Sequence, residues 1–190
     1  MRTNRELPYG FVFVLLCGEQ ICDCLMPGSS KTEVVLALIV AAGQGDTDCV
    51  ALLLENGAVP DQTDEKSGNF PLLMAAQDGH TDCVALLLEK GAAPDQTHEK
   101  SGNCPLLMAA QNGHTDCVRL LLENGATPDQ THEPTGAFPL VLAAEQGLTE
   151  CVRLLLEKGA TPDQTNERNG AFPLLMAEVD PLVWTTWGGI

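Results

Sequence analysis

Positive charge and aromatic rings are both scarce in this chain of 190 residues. It has 10 Lys and Arg against 26 Asp and Glu, a formal net charge of −16, and only 4% Phe, Trp and Tyr. An acidic surface repels phosphate backbones, which argues against nucleic acid as a partner. So few aromatic side chains argue against a large aromatic-lined ligand cavity, and hence against a small-molecule substrate. The strongest apolar run near the N-terminus is too short to span a bilayer, which takes about 20 such residues. Membrane association is therefore not expected. Also missing from the sequence are a phosphate-cradling Gly-rich loop, a nucleophile elbow and a two-histidine zinc helix. No catalytic residues, no metal and no cofactor are expected.

Repetition is what the chain does have. Pro71, Pro105, Pro139 and Pro173 recur every 34 residues. One unit runs GNFPLLMAAQDGHTDCVALLLEKGAAPDQTHEKS from Gly68 to Ser101, and the next runs GNCPLLMAAQNGHTDCVRLLLENGATPDQTHEPT from Gly102. The organisation is a leader over 1–29, a repeat domain over 30–178 and a tail over 179–190. The domain divides into 30–67, 68–101, 102–135, 136–169 and a partial 170–178.

Local signals agree within one unit. Pro71 suits the first turn of a helix, where its missing N–H would be unpaired anyway. Leu72 to about Gln77 forms a short helix whose Ala75 and Ala76 allow close approach, and Gly79 ends it. Thr81 or Asp82 can cap the next helix, which runs through Lys90. Cys83, Val84, Leu87 and Leu88 fall on one face of that helix, and Leu86 widens it. Gly91 stops it in the left-handed conformation, and Pro94 to Gly102 is a polar turn. Neither helix can bury its apolar stripe alone, so the units must stack and share one elongated core. The fold class is all-α: a helix–turn–helix repeat solenoid with extended hairpin-like loops between repeats.

Gly68, Pro71, Leu72, Ala75, Ala76, Gly79, His80, Val84, Leu86, Leu87, Leu88, Gly91 and Ala92 together resemble the ankyrin repeat pattern, and the match returns in register in the following units. The resemblance covers about 34–178. It implies a protein-binding scaffold with a concave surface made of hairpin tips and inner-helix faces. Two departures stand out. The family's Thr before Pro is Phe70, Cys104, Phe138 and Phe172 here, and its His after Leu is Leu73, Leu107, Val141 and Leu175, so apolar packing replaces a hydrogen-bonded pair. The period also exceeds the family's usual length of about 33 by one residue, most simply in the hairpin turn.

Eight cysteines suggest a disulfide framework until their positions are read. Cys49, Cys83, Cys117 and Cys151 recur every 34 residues, which sets them one repeat apart. Packed helices lie roughly 10 Å apart, beyond the ~7 Å Cα separation a disulfide allows. Buried free thiols are expected, and with them a reducing, cytoplasmic or otherwise intracellular compartment. His80 and His114 are expected to cap the helix–turn–helix locally. The same one-repeat spacing argues against metal binding by His98 with His132 and against paired acid–base catalysis by Glu65, Glu99, Glu133 and Glu167.

The two ends break the pattern. Ser30 to Glu33 matches a capping box before an all-round apolar run from Val34 to Ala42. Tyr9–Cys17 could cover that run, or could serve as a secretory apolar region behind Arg2 and Arg5; Glu6 and Pro8 count against export. Cys17, Cys22 and Cys24 lack a fourth ligand for zinc. After Ala177, Pro181 stops the fifth unit. Trp184 and Trp187 then either cap the fourth repeat or anchor a partner or second copy.

Buried positions repeat almost unchanged, whereas tips and inner-helix edges vary. The candidate partner-binding residues are therefore Asp64, Glu65, Lys66, His98, Glu99, Lys100, His132, Glu133, Asn166, Glu167 and Arg168 at the tips. On the inner helices they are Gln77, Asp78, Gln111 and Asn112, with Met74 and Met108 as adaptable apolar points. The leading expectation is a non-enzymatic scaffold for a protein partner. Its rivals are an exported or membrane-associated effector directed by residues 1–17, and a regulatory subunit of an enzyme on another chain.

Overall fold

The computed structural model describes residues 31–166, which hold eight helices in four pairs. These are α1 (Lys31–Gln44) with α2 (Thr47–Glu55), α3 (Pro71–Asp78) with α4 (Thr81–Glu89), α5 (Pro105–Asn112) with α6 (Thr115–Glu123), and α7 (Pro139–Glu145) with α8 (Thr149–Glu157). Each first helix packs on its own second helix. The first helices also pack on one another in an inner row, and the second helices form an outer row. The inner row is the more closely packed of the two.

Its closeness follows from side-chain size. Ala41, Ala42, Ala75, Ala76, Ala109, Ala110, Ala143 and Ala144 are all buried, and without long side chains the helix axes can approach. The outer row is spaced by Val50, Val84, Val118 and Val152 with Leu53, Leu87, Leu121 and Leu155, all buried. Each such leucine contributes about 1.5–3 kcal/mol by leaving water. One continuous apolar cluster runs from Ala37 to Ala160 through all four pairs.

Helix limits follow the expected punctuation. Pro71, Pro105 and Pro139 each open an inner helix after an extended residue. Those preceding residues, Phe70, Cys104 and Phe138, make no side-chain cap bond and are buried, as are Leu73, Leu107 and Val141. Apolar packing does stand where the Thr–His pair would be. Gly79 and Gly113 end α3 and α5 with φ 78° and 79°. At Gly79 a Cβ would also lie 2.5 Å from His114 Nδ1 of the next repeat, so both backbone and packing require glycine there.

The first outer helix is capped by Asp46, which accepts from the Cys49 amide, but α4 starts differently from expectation. Neither Thr81 nor Asp82 caps α4: His80 stands at the cap position and makes no side-chain cap bond. The His80 and Thr81 amides donate instead to Ala75 and Gly79 carbonyls within the tight turn. This leaves the threonine hydroxyl available for the next repeat, where Thr81 Oγ1 lies 3.6 Å from Cys117 Sγ. Thr47 meets Cys83 at 3.4 Å and Thr115 meets Cys151 at 3.2 Å in the same way. Cys49, Cys83, Cys104, Cys117 and Cys151 are buried thiols outside any disulfide. Burial pushes the thiols of Cys83, Cys117 and Cys151 up, and that of Cys104 to about 11.

Candidate interaction surface

The inner helices turn one face to the core and leave another uncovered. Val40, Met74, Met108 and Leu142 occupy the same place in successive helices and are all half-buried. They form an apolar strip along the inner row. Beside it stand Gln77, half-buried, and Asp78, Gln111, Asn112, Glu145 and Gln146, all exposed. Asn112 Nδ2 donates to the Gln77 carbonyl at 2.8 Å, tying neighbouring repeats at the edge of this face.

The hairpin-like loops project beyond the inner helices. Each closes on itself through backbone bonds: the Asp64, His98 and His132 amides donate to Asn69, Asn103 and Ala137 carbonyls. At their tips Glu65, Lys66, Glu99, Lys100 and Glu133 are exposed. Lys100 Nζ donates to the Lys66 carbonyl of the preceding tip. The loops are further joined by a ladder built from the recurrent Pro-Asp-Gln. Asp61 accepts from the Ala93 amide at 2.7 Å. Asp95 accepts from the amide and hydroxyl of Thr127, and Asp129 from those of Thr161. Gln96 and Gln130 add donations to the Asp61 and Asp95 carbonyls.

These four stacked pairs, with their recurrent loops, match a family model of ankyrin repeats over residues 11–98, 38–132 and 90–166. The chain belongs to the ankyrin repeat family. Ankyrin repeats are generally protein–protein interaction modules, and the family typically supplies non-enzymatic scaffolds. No curated protein matches this chain.

Against the ankyrin framework, part of the tip expectation needs correction. Asp64, His98 and Asn166 are only 7%, 8% and 2% exposed, so they are not presented to solvent. Asp64 Oδ2 accepts from both the amide and the hydroxyl of Ser67, and those bonds hold its carboxyl below the usual carboxylate range. His98 does two things. Its Nδ1 accepts from the Ser101 amide at 3.0 Å, which assigns the proton to Nε2, and Nε2–H donates to the Ser67 carbonyl of the preceding tip. His132 repeats the pattern, with Nδ1 against Thr135 Oγ1 and Nε2 against the Ser101 carbonyl. Asn166 donates to the Thr135 carbonyl.

The variation at this position therefore has a structural cause. Asp64 only has to accept within its own tip, whereas His98 and His132 must accept there and also donate to the tip before. The signal was legible: an Asp or His stands three residues before Ser67, Ser101 and Thr135, the pattern of a side chain closing a turn on its own backbone.

His80 and His114 also differ from expectation. They do not cap their own turns. Nε2 of each lies 3.0 Å from a carbonyl of the preceding inner helix, Gly43 and Gln77 respectively. A ring N–H there serves a carbonyl at a helix C-terminus, which has no partner within its own helix. Each histidine thus ties two repeats.

Exposed charge pairs stand along the outer helices. Arg153 pairs with Glu150 and Glu157, Arg119 with Asp116, and Lys158 with Glu123 of the preceding repeat. Such exposed pairs stabilise little. Among the described residues no cluster of His, Cys, Asp or Glu could hold a metal ion, and no helix is long and apolar enough to cross a membrane. Glu167, Arg168, Cys17, Cys22, Cys24, Trp184 and Trp187 lie outside the described residues, as do the proposed leader and tail.

Proposed function

We propose that this chain is a scaffold that grips one protein partner along the inner-helix face, with the exposed tip residues as a polar rim. The observation that carries this reading is the strip Val40–Met74–Met108–Leu142, an apolar line left half-open along the inner helices beside polar edges. Apolar anchors surrounded by a polar rim are the anatomy of protein interfaces, and methionine adapts its shape to what it meets. Gln77, Asp78, Gln111 and Asn112 border the strip; Glu65, Lys66, Glu99, Lys100 and Glu133 extend it at the tips. Asp64, His98, His132 and Asn166 contribute by holding the tips in place.

A photo-crosslinking residue placed at Met74 or Met108 should capture a defined partner in the cell of origin. The same residue at Ala85 or Arg119, on the exposed outer helices, should not. Equal capture from both faces, or capture only from the outer one, would overturn the assignment. An enzyme chain among the captured proteins would instead support a regulatory-subunit role.

A further inference from the structure

The inner-helix face holds a carboxylate that the stack does not use. Asn112 ties itself to the repeat before by donating to the Gln77 carbonyl at 2.8 Å. Asp78 stands at the same place one repeat earlier, where the equivalent carbonyl is that of Gly43, but a carboxylate has no N–H to give. His80 serves the Gly43 carbonyl instead. The Asp78 side chain is exposed, and its carboxylate makes no hydrogen bond or ion pair among the described residues. Its position is also unfavourable. Asp78 is the last residue of α3 and Glu145 the last of α7, the end where the helix dipole is negative and a carboxylate is disfavoured. None of α1, α3, α5 and α7 carries a basic residue in its last turn. Among the described residues, every lysine and arginine stands on or just past an outer helix, at a tip, or at Lys31 where α1 begins. Asp78 also reaches the apolar strip itself. A Cβ built on Gly43 would lie 3.5 Å from Met74 Cβ, 3.7 Å from Met74 Cε and 3.6 Å from Asp78 Oδ2. A thioether methyl and a carboxylate oxygen therefore converge over bare backbone, where Gln77, Gln111 and Glu145 put a side chain in later repeats.

We propose that the partner taken by this face is a positively charged protein segment. Its apolar side chains lie along Val40, Met74, Met108 and Leu142, and one lysine or arginine lays its stem over Met74 and Gly43 with its charged head at Asp78. This presupposes that the inner-helix face is the one that binds. Long basic side chains suit such a place, because their methylenes pack on apolar surface while the charge stays at a polar edge. Charge complementarity selects this occupant. A carboxylate left unpaired at a negative helix end is disfavoured in the free chain, and a cation arriving with the partner relieves it. Glu145 offers a second such point two helices along the inner row. An acidic segment would be repelled by Asp78, by Glu145 and by the overall formal charge of −16.

A displayed random-peptide library selected against the full chain at physiological salt supplies the probe. Recovered peptides should be enriched in Lys and Arg beside Leu, Ile or Met. Their affinity should fall at least roughly tenfold for Asp78→Lys with Glu145→Lys. It should fall by less than about twofold for Glu55→Lys with Glu89→Lys, which changes the net charge equally on the outer helices. Both pairs place lysine at helix C-termini, where it is favoured, so circular dichroism should show the fold retained. Asp78→Asn, which can copy the Asn112 bond, should weaken the peptides without lowering stability. Met74→Gln with Met108→Gln tests the face itself. Peptides that need the methionines but carry no excess of Lys and Arg, or ignore Asp78 and Glu145, would overturn the charged partner and leave the face standing. Equal loss from the outer-helix pair would also overturn it, as attraction to net charge alone, and so would an empty selection. Peptides indifferent to the methionine pair would overturn the face and the charged partner together.

Discussion

Hairpin tips and inner-helix edges both change residue along the stack: Asp64, His98, His132 and Asn166 in one row, Asp78, Asn112 and Gln146 in the other. In the tip row Asp64, His98, His132 and Asn166 the side chains are spent within the stack, accepting from their own loop or donating to the loop before. On the inner helices they stand exposed beside a half-open apolar strip, with Asn112 alone also donating to the repeat before. Variation between repeats thus has two origins, hydrogen-bond roles that differ along the stack and surface left free of packing. Only the second kind is available to a partner.

The contrast is broken most severely from the core that both rows rest on. Leu121→Ala empties a fully buried site between repeats. It should cost about 2–5 kcal/mol, read from urea unfolding. Partner binding should then fall only to the extent that the protein unfolds.

High pH should act next in order of size. The folded thiols of Cys83, Cys104, Cys117 and Cys151 hold their protons more tightly than unfolded ones. Their stabilising effect is therefore complete below the ordinary thiol range and is lost as pH rises toward the folded values. For Cys104, moved from 9.0 to about 11, the loss across that window is on the order of 3 kcal/mol. Unfolding midpoints measured on the alkaline side should fall steadily, and a flat profile would contradict the assigned burial.

His98→Ala removes both bonds of a buried tip residue and should cost about 1–3 kcal/mol. His98→Asn, which keeps an acceptor and a donor, should recover part of this. Affinity for an inner-face partner should be unchanged in the folded fraction. The converse is Met74→Gln with Met108→Gln, expected to shift stability by only about 0.5–1 kcal/mol while weakening partner binding at least roughly tenfold. If the histidine substitution weakened binding and the methionine pair did not, the two rows would have exchanged roles. Smallest of all, Glu157→Gln removes one exposed partner of Arg153 and should change stability by no more than about 0.5 kcal/mol.

Much of this was legible before any coordinates. The 34-residue period, Pro71 at a helix start, Gly79 and Gly91 at helix ends, the alanine pairs and the one-per-repeat thiols each required one arrangement, and each is found in it. The candidate surface was legible only in part. Met74, Gln77, Asp78, Met108, Gln111 and Asn112 do share one face, but Asp64, His98 and Asn166 do not present themselves to solvent. A polar residue in a turn looks the same on paper whether it points into water or back at its neighbour's carbonyl.

Composition and periodicity alone determined that this chain stacks, because a helix pair with an apolar stripe has nowhere to put it except against a copy of itself. Which polar groups would be consumed in joining the copies was decided only by the folded stack. Thr81 against Cys117, His114 against the Gln77 carbonyl and Asp95 against Thr127 are residues more than thirty positions apart, brought together by the repeat spacing. Hydrogen bonds act over about 3 Å and depend on direction. A pattern of hydrophobicity carries neither distance nor direction, so these partners become visible only once the repeats lie side by side.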